Sequence, residues 1–277
     1  MADSASGASL PGWTASPFTH GGITRDVLRR GSGPGVVVMH EIPGITPQVA
    51  AFSNRVVDAG FTVWMPVLFG EVGRPLGTGY LLSSMARACV AREFSALAAR
   101  RSSPIADYLR ALARALATET GGPVGALGMC FTGNFALAMM VDDAVAAPVL
   151  SQPSLPFPIG AERRRGLHVS DEELVAIKKR VAGGCSVLGL RFTRDPAVPA
   201  ERFARLREEL GDGFEGIEID SSPGNAHGVP RNAHSVLTTH LVDEAGHPTR
   251  AALERTLAFF RERLGEPPAP RGGGRPS

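Results

Sequence analysis

Cysteine is scarce in this sequence: Cys89, Cys130 and Cys185 are the three thiols among 277 residues, and no Cys-x-x-Cys pair occurs. That excludes a disulfide framework and the paired thiols of a structural zinc site, so zinc is not expected, and nothing else in the sequence implies a metal or other cofactor. Charge of one sign is lacking too. With 29 basic against 27 acidic residues the net charge is +2, too small to attract nucleic acid or an anionic membrane. The one basic run, Arg163-Arg164-Arg165, reads as a solvated loop. No apolar stretch reaches the ~18 residues of a membrane span. The first residues lack the cationic segment and apolar run of a secretory signal. The expectation is a soluble, cytoplasmic protein whose thiols stay reduced.

What is present is a substantial core. Hydrophobic residues make up 43% of the chain, enough to fold without staples. The ends, MADSASGASLPGW and GEPPAPRGGGRPS, are rich in small residues, Gly and Pro. Residues 1–30 are therefore expected to be a partly disordered N-terminal segment, 31–265 one domain, and 266–277 a disordered tail.

Short β-branched runs alternate with segments of helical period, the pattern of a three-layer α/β/α fold around a mostly parallel sheet. GVVVMH (35–40), FTVWMPV (61–67), PVGALGMC (123–130), AAPVLSQP (146–153), CSVLGLRF (185–192) and FEGIEIDS (214–221) read as strands. Helices are predicted at 46–59, 87–99, 105–118, 131–140 and 248–264. Residues 155–184 are irregular and read as an insertion over the carboxyl edge of the sheet. Within them Ser170 and Glu173 form a capping box ahead of a helix.

GMCFTG (128–133) carries the strongest chemical signal. A nucleophile between strand and helix, with glycines close on both sides, is a nucleophile elbow. The following helix points its free N–H groups at the site, which favours a thiolate and a developing oxyanion. Cys89 and Cys185 read as core thiols.

Glu41, in HEIPGI (40–45), follows a buried strand, where the crevice of a parallel sheet lies. An adjacent backbone N–H can serve as an oxyanion donor, and His40 reads as a structural hydrogen-bonding residue. Asp195 follows another strand, in a loop stiffened by Pro196 and Pro199, and can orient a histidine. Nucleophile, acid, histidine is the chain order of α/β-hydrolases. Two histidines compete for the last place, His227 nearer the strand end and His234 one turn later. His240 and His247 read as surface or capping residues.

HEIPGI, GMCFTG, RFTRDPAVP, AHSV and ALERTLAFF, in that order, resemble the dienelactone hydrolase family over about residues 33 to 264. The resemblance implies Cys130 as nucleophile, Asp195 as acid and Glu41 as a gating carboxylate. It also implies that the N–H groups of Ile42 and Phe131 form the oxyanion hole. It favours His234 as base, because His234 stands at the family's distance from the last helix and is followed by serine. His227, on a shorter loop and followed by glycine, remains the alternative. Thr132 replaces a family glycine and is expected to crowd the elbow. Arg87 and Arg92 lie where the family holds a substrate carboxylate.

The implied activity is cleavage of a small-molecule ester or lactone through a cysteine acyl-enzyme. A general carboxylesterase or thioesterase is the nearest rival, and a non-catalytic binding protein or a redox-sensing thiol the more distant ones. A histidine far from Cys130 would favour the non-catalytic reading.

Overall fold

A computed structural model describes residues 9–81, 83–84, 94 and 103–266. The helix expected at 87–99 lies outside them apart from Phe94, and so do Arg87, Cys89 and Arg92.

Among the described residues the strands are β1 (Thr14–His20), β2 (Ile23–Arg30), β3 (Gly35–Met39), β4 (Thr62–Pro66), β5 (Val124–Met129), β6 (Val145–Ser151), β7 (Val187–Phe192) and β8 (Phe214–Ile219). They form one eight-stranded sheet in the order β1-β2-β4-β3-β5-β6-β7-β8. β3 to β8 run parallel, while the β1–β2 hairpin joins antiparallel through β4. The helices are α1 (Pro47–Asp58), α2 (Pro104–Thr120), α3 (Gly133–Met139), α4 (Ala161–Arg165), α5 (Asp171–Ala182), α6 (Ala200–Leu210) and α7 (Pro248–Leu264).

Both faces of the sheet are covered, which is why its central strands read as continuous apolar runs. Val37 and Met39 of β3 pack into one core with α2, α3, α5 and α6. Val36 and Val38, on the opposite face, pack with Phe52 of α1 and Phe259 and Phe260 of α7. This is the three-layer α/β arrangement the pattern predicts. No described helix is long and apolar enough to cross a membrane.

Three differences from the sequence reading have physical causes. Residues 14–30, placed outside the domain by composition, continue the sheet as its edge hairpin. β1 has no buried residue along its length, so it lacks the apolar signature of a strand. Residues 155–184 are less of an insertion than expected, because α5 is the crossover that returns the chain from β6 to β7. Ahead of α4, Ser154 and Phe157 reach the crevice at the carboxyl edge. The triple arginine winds into α4 instead of a loop, and Arg164 grips Glu201 of α6 through two bonds of 2.9 Å.

Parallel strands all end on one side. The turns after β3, β5, β6 and β7 therefore bring Glu41, Cys130, Ser154 and Asp195 to one crevice, and the long loop after β8 returns His234 to it.

Candidate active site

Cys130 joins β5 to a short 3-10 turn, Cys130–Thr132, that runs into α3. Its φ is 54°, in the left-handed region that a residue with a side chain adopts only when its surroundings force it. The two elbow glycines are sterically required. A Cβ on Gly128 would sit 2.2 Å from the Thr132 carbonyl oxygen, and one on Gly133 would sit 2.5 Å from Cα of Pro153.

Thr132 does not crowd this turn. Its fully buried hydroxyl accepts the Met129 N–H at 2.9 Å and donates to the Met39 carbonyl at 3.0 Å. The side chain thus ties the elbow to the end of β3, the strand that delivers Glu41 and Ile42. Thr132→Val keeps the shape and removes these bonds from two buried backbone groups. The variant is expected to lose about 1–3 kcal/mol of stability. Chemical denaturation measures this, and an unchanged midpoint would show the clamp to be inert.

Asp195 is buried, and its Oδ2 meets Nδ1 of His234 at 2.6 Å while its Oδ1 accepts the Ala197 N–H at 2.9 Å. Burial opposes a charge on the His234 imidazole. Its interaction with the Cys130 sulfur, together with the hydrogen bond to Asp195, outweighs this and raises the pKa well above the usual histidine value. A cationic imidazole between a carboxylate and a sulfur is the arrangement in which proton transfer to a leaving group is favourable.

The structure brings Cys130, Asp195 and His234 together, and His227 elsewhere. His227 is exposed, stacks edge-on against His247 with ring centroids 5.6 Å apart, and lines a separate surface cavity beside β8. His247 caps α7 through Thr249. His240 supports the loop that carries His234: its Nδ1 accepts the N–H groups of His234 at 3.3 Å and Ser235 at 3.2 Å. Burial and the neighbouring His234 lower its pKa, keeping it neutral and able to accept.

Glu41 is buried at 4% exposure. Its carboxylate accepts hydrogen bonds from Thr238 Oγ1 at 2.5 Å, Ser235 Oγ at 2.7 Å and Gln152 Nε2 at 3.3 Å. Three donors offset the cost of removing this anion from water. They also lock the end of β3 to the loop carrying His234. Cys130 Sγ meets a different group, Ser154 Oγ, at 3.3 Å.

His40 is structural, as its position suggests. Its Nε2 accepts the Leu68 N–H at 3.0 Å, Nδ1 lies 3.1 Å from the Glu41 carbonyl, and burial lowers its pKa to about 4. The unfolded chain binds this proton below pH ~6.5 and the folded chain resists it until about 4. The contribution is thus complete above ~6.5 and falls by roughly 3 kcal/mol as the pH drops to about 4. His40→Gln is expected to flatten that part of the stability–pH curve, measured by urea midpoints. An unaltered slope would remove His40 as its source.

A cavity of about 370 Å³ opens over these groups. Ile42 and Phe131 both line it, together with Leu76, Leu81, Phe157 and Pro196. Sequence reasoning missed Gln152, Ser154, Ser235 and Thr238, although SQPS at the carboxyl end of a buried strand was a usable signal.

This strand order, with a glycine-flanked cysteine turn after β5, an aspartate after β7 and a histidine after β8, is that of an α/β-hydrolase. The dienelactone hydrolase family model matches residues 27–264, and the chain belongs to that family. Solved structures with the same fold include a Klebsiella pneumoniae protein assigned as a dienelactone hydrolase, with TM-score 0.61 and 16% identity, covering 90% of this chain and 99% of that one. A dienelactone hydrolase from Anabaena variabilis gives 0.57 at 15% identity, covering 91% and 98%. A dienelactone hydrolase-like promiscuous phosphotriesterase from metagenomic libraries gives 0.56 at 18%, also covering 91% and 98%. At these identities the likeness is one of fold. No curated protein matches the sequence significantly.

Proposed function

We propose that this carboxylic ester hydrolase cleaves small esters or lactones through Cys130. The observation that carries the reading is the 2.6 Å Asp195–His234 pair beside a cysteine held at φ 54°. The Cys130 thiolate attacks the carbonyl carbon, and the carbonyl π pair moves onto oxygen. Ile42 and Phe131 N–H groups receive that oxyanion. His234 gives its proton to the departing alkoxide, leaving a thioester on Cys130. Water then attacks the thioester while His234 takes the water's proton. Collapse releases the acid and expels the thiolate, beside the imidazolium that formed when His234 took the proton. Asp195 holds the imidazole in the right tautomer throughout. Glu41 acts as the family's gating carboxylate, and its release would require breaking the contacts to Gln152, Ser235 and Thr238.

The apolar wall of Leu76, Leu81, Phe131, Phe157 and Pro196 favours a second reading of scope, a general carboxylesterase acting on neutral esters. Rates on p-nitrophenyl esters of increasing chain length, thioesters and a dienelactone separate the two. Hydrolysis of none of them would sink both readings and favour a binding protein.

A further inference from the structure

The stretch after β6 is built to bring one hydroxyl to the reactive sulfur. Ser154 is 2% exposed, and the hydrogen-bond partner of its Oγ is Cys130 Sγ, at 3.3 Å. Its backbone N–H also donates to the Cys130 carbonyl at 2.9 Å. The carbonyls on either side are held by one cation: Arg202, fully buried, donates to Pro153 O at 2.5 Å and Pro156 O at 2.6 Å, and to Gly166 O and Arg163 O. Gln152 adopts a φ of 36°, the left-handed conformation that turns the chain out of β6 toward the elbow. Burying an arginine and straining a glutamine both cost free energy, so the place of Ser154 is over-determined.

We propose that Ser154 is a catalytic residue whose hydroxyl donates a hydrogen bond to the Cys130 sulfur. A neutral thiol gains little from such a donor, whereas a thiolate gains the strength of a charge-assisted bond. The bond therefore favours the ionised sulfur in the resting enzyme. It weakens when the sulfur is acylated and re-forms when the thiolate is expelled, assisting deacylation. With Glu41 occupied by Gln152, Ser235 and Thr238, Ser154 and His234 are the side chains that address the sulfur among the described residues.

The proposal rests on Cys130 as nucleophile, and alkylation tests it without requiring turnover. The pH dependence of Cys130 alkylation by iodoacetamide is measured in the wild type, Ser154→Ala and Ser154→Thr. Cys130→Ala supplies the background from the other thiols. Loss of one hydrogen bond to a charged group predicts a midpoint in Ser154→Ala about one pH unit higher, and kcat/KM at neutral pH about tenfold lower. Ser154→Thr keeps the hydroxyl and is expected to stay near the wild-type midpoint. Identical midpoints in the wild type and a folded Ser154→Ala would overturn the assignment while leaving the nucleophile standing. Full activity in Cys130→Ala would instead remove the nucleophile.

Discussion

Cys130→Ala is expected to abolish ester hydrolysis, by a factor on the order of 10⁴ or more, while the protein still melts cooperatively near the wild-type temperature. The size of the loss follows from the chemistry. Without the sulfur no acyl-enzyme forms, and what remains is the background that oxyanion donors and binding give to water. The fold should tolerate the change because alanine is smaller and the strained φ of 54° is set by the surrounding turn. Cys130→Ser is expected to recover little, since a hydroxyl ionises far less readily than a thiol. Activity of Cys130→Ala within tenfold of the wild type on a p-nitrophenyl ester would refute the assignment.

His234→Ala should have an effect of similar size, whereas His227→Ala should leave kcat/KM within about twofold, as for an ordinary surface substitution. His234 connects Asp195 to Cys130, whereas His227 faces His247 on another side of the molecule. The two variants share a loop and differ in what the imidazole touches, so steady-state kinetics on both isolates the base. Equal losses would point to loop integrity instead. A loss confined to His227→Ala would transfer the role.

The contrast between these histidines shows where sequence reasoning ends. Both follow β8, and nothing local to either residue records that the chain between them turns back over the sheet. The family resemblance favoured His234 through its distance from the last helix, but what separates the two physically is a contact to Asp195, 39 positions away. The elbow was legible because its requirements are local: Gly128 and Gly133 admit no side chain, and the strand and helix around Cys130 carry their own periodicities. The central strands were legible because burial on both faces writes an unbroken apolar run. The β1–β2 hairpin was not, because its outer strand faces solvent. Thr132 misled for a related reason. Volume alone suggests crowding, but its hydroxyl meets carbonyl and N–H groups from β3 and β5 that the turn leaves in reach. Arg202, 49 positions from Pro153, gave no signal at all, since an arginine on an amphipathic helix normally faces water.

The most direct test of the account is to locate the acyl group itself. A hindered p-nitrophenyl ester that deacylates slowly is mixed with the wild-type protein and quenched in acid at the end of the p-nitrophenolate burst. The digest is then mapped by mass spectrometry. The account predicts one acylated peptide, modified at Cys130, in an amount equal to the burst. A burst with Cys130 still a free thiol, and the acyl group on Ser154, His234 or any other side chain, would contradict it.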